Sequence, residues 1–269
     1  MINLFGKEIR MKRLFDKESG KVIFVPLDHG ATMGPVKGIE RIPKLLSELE
    51  IPYVNGIVLC KGHFADREVV ENCDIPKILH LSNSNRLSMH PDSKILVGSV
   101  EQAIALGADA VSVHVNMGSE NEYIMLNDFA KVSEACTRWG IPLLAMMYYR
   151  PADKKYDKTA IKVIARLAQE MGADIVKVDY TGDMDSFSEV IQGCSIPVII
   201  SGGEKDTPKH ALKNAYEAIK CGVAGVAFGR NIFQYENPKK LTKALSFVVH
   251  RGMDVDTALE RAIEVSENK

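Results

Sequence analysis

The chain has 269 residues, 46% hydrophobic and 26% charged, which fits one large soluble domain or two small ones. A formal net charge of -1 gives no electrostatic reason to expect nucleic acid or an anionic membrane as partner, so an anionic ligand must be held by local groups. No run approaches the roughly 18 apolar residues of a membrane helix, the start Met1-Ile2-Asn3-Leu4-Phe5-Gly6-Lys7 lacks the apolar core of a signal peptide, and cytoplasmic residence is expected.

In chain order, residues 1 to about 20 read as a polar N-terminal extension, a helix covering the bottom of the domain. Eight strand candidates follow: Lys21 to Leu27, Asn55 to Cys60, Pro76 to Leu81, Ala110 to Val115, Pro142 to Tyr148, Asp174 to Asp179, Pro197 to Ser201 and Val223 to Phe228. Their near-continuous Val, Ile, Leu and Ala content is what strands covered on both faces require. The tail from Asp254 to Lys269, with Ala258, Leu259, Ala262 and Ile263 at helical spacing, reads as a closing amphipathic helix. No low-complexity run or long linker divides the chain, so residues 1–269 are expected to form a single domain.

A repeated phrase sets the architecture: a helix, a glycine, then an apolar strand. It appears before and after Gly107, Gly172 and Gly222, and more loosely around Gly140. Each glycine fits the position just past a helix end, where positive φ costs no Cβ clash. From Gly107 to Gly140 is 33 residues and from Gly140 to Gly172 is 32, room for one strand and one helix per unit. The expected fold is an α/β (βα)8 TIM barrel. An open doubly wound sheet would normally carry a glycine-rich dinucleotide turn after its first strand, and Asp28-His29-Gly30 is not one.

Barrel chemistry collects where strands run into the following loops, and these ends are polar here. Strand one ends in Leu27-Asp28-His29-Gly30, strand two in Cys60-Lys61-Gly62-His63 and strand four in His114-Val115-Asn116. Strand five ends in Met147-Tyr148-Tyr149-Arg150 and strand six in Lys177-Val178-Asp179-Tyr180. The last two end in Ser201-Gly202-Gly203 and Phe228-Gly229-Arg230-Asn231. Lys177 shares a strand face with Ile175 and Asp179. Either it lies on an edge strand and meets water, or it points into a barrel. There desolvation would lower its pKa and free the amine to attack a carbonyl. The bare turns at Ser201-Gly202-Gly203 and Gly229-Arg230 sit on the loops where barrels commonly hold phosphate, which points to a phosphorylated substrate; ordinary turn glycines and a surface arginine are the plain alternative.

A Schiff-base reaction also needs groups that take and return protons, and Asp28 and Tyr148 are the candidates. Asp28 with His29 is alternatively half of a metal site, His29 alternatively an orienting hydrogen-bond partner, and Tyr148 alternatively core. The five cysteines are scattered with no CxxC pair and the seven histidines show no HExxH, so neither a disulfide framework nor a metal site is expected.

At these motifs the chain resembles the archaeal-type class I aldolases, (βα)8 barrels related to class I fructose-bisphosphate aldolase. The resemblance runs from about Arg10 to Asn231. Its markers are Pro26-Leu27-Asp28-His29-Gly30, Lys61-Gly62, the run Gly107 to Asn116, Ala145-Met146-Met147-Tyr148, Lys177 with Tyr180-Thr181-Gly182-Asp183, Gly202-Gly203 and Gly229-Arg230-Asn231. It implies Lys177 as Schiff-base lysine, Tyr148 as proton donor, Asp28 as proton acceptor, and Gly202, Gly203, Gly229 and Arg230 on phosphate, without metal or cofactor. His29, Gly30, Ala31, Thr32, Tyr149, Arg150 and Ser201 complete the substrate-binding candidates, with Lys61, His114 and Asn116 for a second substrate.

Met146, where the fructose-bisphosphate aldolases typically carry tryptophan, and His114-Val115-Asn116 are similar to the heptulosonate synthase branch. That branch joins a fragment of 6-deoxy-5-ketofructose 1-phosphate or dihydroxyacetone phosphate to L-aspartate 4-semialdehyde, on routes to aromatic amino acids or aminohydroxybenzoates. One departure stands out: Tyr148-Tyr149-Arg150-Pro151 replaces the usual Tyr-Pro-Arg-Gly, which leaves acceptor choice open. Fructose-bisphosphate aldolase activity and a catalytically silent sugar-phosphate-binding barrel are the alternatives. The resemblance further implies a pentameric or decameric homo-oligomer.

Overall fold

Each of the eight apolar runs forms a parallel strand, because a segment apolar on both faces is satisfied only between neighbours in the sheet and helices outside it. The computed structural model describes residues 5–151, 153, 155 and 157–267. Its strands are β1 (Val22–Pro26), β2 (Gly56–Leu59), β3 (Lys77–His80), β4 (Ser82–Asn83), β5 (Ile95–Leu96), β6 (Ala110–Met117), β7 (Leu143–Tyr149), β8 (Ile175–Val178), β9 (Val198–Ser201) and β10 (Gly225–Ala227). Eight of them close a ring in the order β1-β10-β9-β8-β7-β6-β3-β2, every pairing parallel, so the open-sheet alternative is excluded. β4 and β5 form a small antiparallel hairpin that the sequence did not announce. Two residues per strand are too few to carry a period.

The glycines of the repeated phrase end their helices as expected, with φ of 78° at Gly107, 63° at Gly140, 86° at Gly172 and 99° at Gly222. Helix starts are capped by side chains: the Asp157 carboxylate accepts from the Thr159 N–H, Asp183 from Ser186 and the Thr207 hydroxyl from His210. The aspartate two places after Gly107 and after Gly172 has its own use. Asp109 accepts from the backbone N–H of Lys77 at 3.1 Å and Asp174 from that of Leu143 at 2.8 Å, each tying the foot of one strand to the strand before it.

The period of two then sorts side chains into layers. Val22, Phe24, Val58, Ile78, Ala110, Leu144, Met146, Ile175, Ile199 and Ala227 fill the barrel interior. Their alternates, such as Val176 and Val178, pack outward under the helices. The helix Phe5–Leu14 places Leu14, fully buried, in the interior cluster with Met11 and Phe15 against it. Burial of that leucine contributes roughly 2 kcal/mol. The helix Val255–Glu267 buries Ala258 and Ala262 and leaves Ile263 exposed.

Candidate active site

Two residues beyond an interior side chain, a strand of the ring has reached its mouth, and the side chain there still points inward. Ile175 leads in this way to Lys177, Met146 to Tyr148, Ile78 to His80, Ile199 to Ser201 and Ala227 to Gly229. Lys177 is paired on both sides, with Met146 of β7 and Ile199 of β9, so the edge-strand reading fails and the lysine is 6% exposed inside the ring. It lines a cavity of about 230 Å³ together with Asp28, His29, Thr32, Tyr148, Arg150, His114, Asn116, Ser201, Gly202, Gly203, Gly229 and Arg230.

Not every candidate reaches this cavity. Lys61, just past the end of β2, is exposed, donates to the Val97 carbonyl at 2.6 Å and does not line this cavity. Gly30 and Ala31 lie in the short helix His29–Met33 but do not line the cavity; Ala31 instead gives its carbonyl to Asn85. Tyr149 points to the other side of β7, where it lines an adjoining cavity of about 470 Å³ with Met89, Ser93, Ser119 and Pro151. Conversely, His80, Asp92, Lys94 and Asp179 line the active cavity without having been singled out. His80 lies between Leu79 and Leu81 in a strand that otherwise reads as core, and its register with Ile78 was the available signal.

The Lys177 amine lies 5.8 Å from the centre of the Tyr148 ring. Its pKa corrects the sequence expectation. Burial does push the amine down, but the Tyr148 hydroxyl, Asp28 and Asp179 outweigh it, and the net direction is upward. The resting lysine is therefore an ammonium held by its neighbours. Asp28 is the reciprocal case: burial raises its carboxyl, while His80, His29 and Lys177 bring it down to about 2. Its oxygens lie 3.7 Å from His80 Nε2 and 3.8 Å from His29 Nδ1. Burial lowers the pKa of His29, His80 and His114.

Neighbouring contacts fix these groups. His80 Nδ1 is 2.8 Å from Ser112 Oγ, and His114 Nε2 is 2.8 Å from Asn116 Oδ1, whose amide donates to the Asp92 carbonyl. The Arg150 guanidinium lies 4.8 Å over the Tyr148 ring and 3.2 Å from Asp179, which also accepts from Ser201 Oγ. On the opposite side Gly229 has no room for a side chain. A Cβ there would stand 2.7 Å from His29 Cε1 and 2.8 Å from the Pro26 carbonyl. Asp28 Oδ1, His29 Nδ1 and Arg230 Nε are buried without a hydrogen-bond partner among the described residues, and all three belong to the lining of this cavity. Such atoms are costly to leave unpaired, so a polar ligand has partners waiting.

A closed parallel barrel with a buried lysine, an ionised carboxylate and a tyrosine at one mouth is the arrangement of a lysine-dependent aldolase. The DeoC/LacD family of aldolases matches residues 22–235, and the chain belongs to it. It is 41% identical over 260 residues to 2-amino-3,7-dideoxy-D-threo-hept-6-ulosonate synthase 1 of Archaeoglobus fulgidus, covering 97% of each chain. It is 39% identical over 251 residues to 2-amino-4,5-dihydroxy-6-oxo-7-(phosphonooxy)heptanoate synthase of Streptomyces griseus, covering 92% of each. Among solved structures, a Schiff-base-forming fructose-1,6-bisphosphate aldolase superposes with a TM-score of 0.82 at 29% identity, over 92% of this chain and all of the other. Among the described residues no helix is long and apolar enough to cross a membrane.

Proposed function

We propose that the protein is a Schiff-base aldolase or transaldolase that joins a ketose-phosphate-derived enamine to L-aspartate 4-semialdehyde, giving a 2-amino-heptulosonate-type product. The donor is 6-deoxy-5-ketofructose 1-phosphate or dihydroxyacetone phosphate, and the product feeds 3-dehydroquinate and aromatic amino acid formation or aminohydroxybenzoate synthesis. The observation that carries this reading is the placement of Lys177, buried with Asp28 and Tyr148 in a cavity that Gly202, Gly203, Gly229 and Arg230 also line. The names of the two relatives, each a synthase of a seven-carbon 2-amino acid, support a product of that type.

In this mechanism the Lys177 ammonium loses one proton to water and its Nζ adds to the ketone carbon, forming a carbinolamine. Loss of water leaves an iminium, which draws electrons from the adjacent carbon. Retro-aldol cleavage of the longer donor, which releases its remaining fragment as an aldehyde, or loss of a C–H proton from the shorter, then leaves an enamine on Lys177. The proton departing from the donor goes to Asp28. The enamine carbon attacks the acceptor aldehyde, whose oxygen takes a proton from Tyr148; the proton on Asp28 returns through water to the phenolate, and a further water hydrolyses the new iminium to free product and lysine. Backbone N–H groups at the glycine turns and the Arg230 guanidinium hold the phosphate. His114 and Asn116 face the acceptor. The reading includes a pentameric or decameric homo-oligomer, and the exposed Tyr123, Trp139 and Val163 supply apolar surface for it.

The test incubates the pure protein with each donor and L-aspartate 4-semialdehyde, follows products by mass spectrometry, and runs fructose 1,6-bisphosphate cleavage alongside. A seven-carbon amino product supports the proposal. Cleavage of the bisphosphate without that product would replace it with fructose-bisphosphate aldolase activity, and donor binding without bond chemistry would reduce the protein to a binding barrel.

A further inference from the structure

Lys94 is a second buried lysine at the mouth, and the reaction as described leaves it unused. It is 7% exposed, lines the same cavity as Lys177, and donates one hydrogen bond among the described residues, to Ser84 Oγ at 2.6 Å. An ammonium in that position has two further N–H bonds to place and a strong preference for an anion.

Its place in the ring says which anion. The hairpin of β4 and β5 grows from the end of β3: the Leu81 N–H donates to Ser112 O, the Val97 N–H to Leu81 O, and Ser82 Oγ accepts from His114 N–H. Lys94 stands immediately before β5. In the ring order β3 and β6 lie diametrically across from β9 and β10, which carry the glycine turns and Arg230. Cationic or N–H-rich walls therefore face each other across the mouth, with Lys177, Tyr148 and Asp28 on the strands between. A molecule anionic at both ends and electrophilic in the middle spans that gap. Beside Lys94 the wall carries a carboxylate: Asp92 lines both this cavity and the adjoining one, which also share Arg150. A carboxylate next to the ammonium disfavours a second phosphate and suits a zwitterion.

We propose that Lys94 and Asp92 hold the amino-acid end of the acceptor, the Lys94 ammonium on its α-carboxylate and the Asp92 carboxylate on its α-ammonium. This rests on the reading of the reaction given above and names the residues that choose its second substrate. Burial lowers the Lys94 pKa, while Asp28 and Asp92 raise it, so an incoming carboxylate would add to the forces keeping it charged.

The test compares the wild type with Lys94→Gln and Asp92→Asn using L-aspartate 4-semialdehyde and succinate semialdehyde, the same aldehyde without its amino group, alongside borohydride trapping with donor alone. Lys94→Gln is expected to raise the acceptor KM about 30-fold for both aldehydes, the loss of one charged hydrogen bond, while donor trapping on Lys177 is unchanged. Asp92→Asn is expected to narrow the preference for the amino aldehyde about tenfold. An unchanged acceptor KM in Lys94→Gln, trapping that falls in parallel with it, or an unchanged preference in Asp92→Asn overturns the assignment alone. A wild type that condenses neither aldehyde overturns the reaction reading and this assignment with it. Should Lys94→Gln fail to fold by circular dichroism, Lys94→Arg carries the test, with a raised acceptor KM and intact trapping expected.

Discussion

The His114 imidazole lies against the Tyr148 ring, centroids 4.7 Å apart and planes inclined by 36°, while its Nε2 meets Asn116. The tyrosine is thus held from the β6 side by an aromatic neighbour whose own orientation is fixed. We expect His114→Leu to lower kcat about tenfold by letting the phenol wander, a misplacement effect, and to leave donor trapping on Lys177 intact. Single-turnover kinetics beside trapping would check this, and equal loss in both would refute the positioning role.

Lys177→Met should abolish the borohydride adduct and turnover, yet leave the fold at least as stable. A buried ammonium costs desolvation that its neighbours only partly return, and methionine fills much of the same volume. Thermal melts near neutral pH check the second half. A Tm well below wild type would mean that the ion network around Asp28 holds the barrel together.

Only the neutral amine attacks a carbonyl, and although burial lowers the Lys177 pKa, Tyr148, Asp28 and Asp179 raise it on balance. Imine formation should therefore accelerate with rising pH across the alkaline range. Asp28→Asn removes one of the groups that raise it, so its trapping profile should move to lower pH even as proton transfer fails. A profile that stays in place would show that Asp28 does not act on the amine.

Acid should weaken the fold in two stages. His29, His80 and His114 have folded pKa values below their ordinary value, so the unfolded chain takes up protons first as pH falls through about 6.5, and stability declines from there. Asp28, held at about 2, adds stability that is present above its unfolded value near 4 and is lost as pH falls toward about 2. Denaturant midpoints from pH 8 to pH 3 test both, and a flat profile between pH 7 and pH 5 would contradict the first.

Gly229→Ala should displace His29 or lift the loop, since the new methyl group would meet the imidazole and the Pro26 carbonyl inside contact distance. The expected cost is about 1–3 kcal/mol in stability, together with a higher KM for the phosphorylated donor. Urea melts and donor titration measure the two effects, and a wild-type KM would remove Gly229 from the phosphate wall.

The ring itself was legible because eight apolar runs and four helix-ending glycines repeat at regular distance, and Lys177, Tyr148 and Asp28 stand at polar strand ends. His80 was not, because its strand shows a histidine flanked by leucines and only the inward register of Ile78 reveals where it points. Lys94 and Asp92 were hidden for another reason. They belong to a hairpin with two-residue strands, whose position over the mouth is set by contacts with β3 and β6. The upward direction of the Lys177 pKa was not legible, because burial can be read from one strand whereas the Tyr148 hydroxyl of β7, Asp28 after β1 and Asp179 after β8 come together only in the fold.

Leu14 closes the barrel at the end away from the chemistry, and Ile175, Leu144 and Ile199 fill the space between it and Lys177. Among the described residues the floor is packed with buried side chains, so the water that hydrolyses a lysine-bound iminium is expected to enter by the doorway the substrates use.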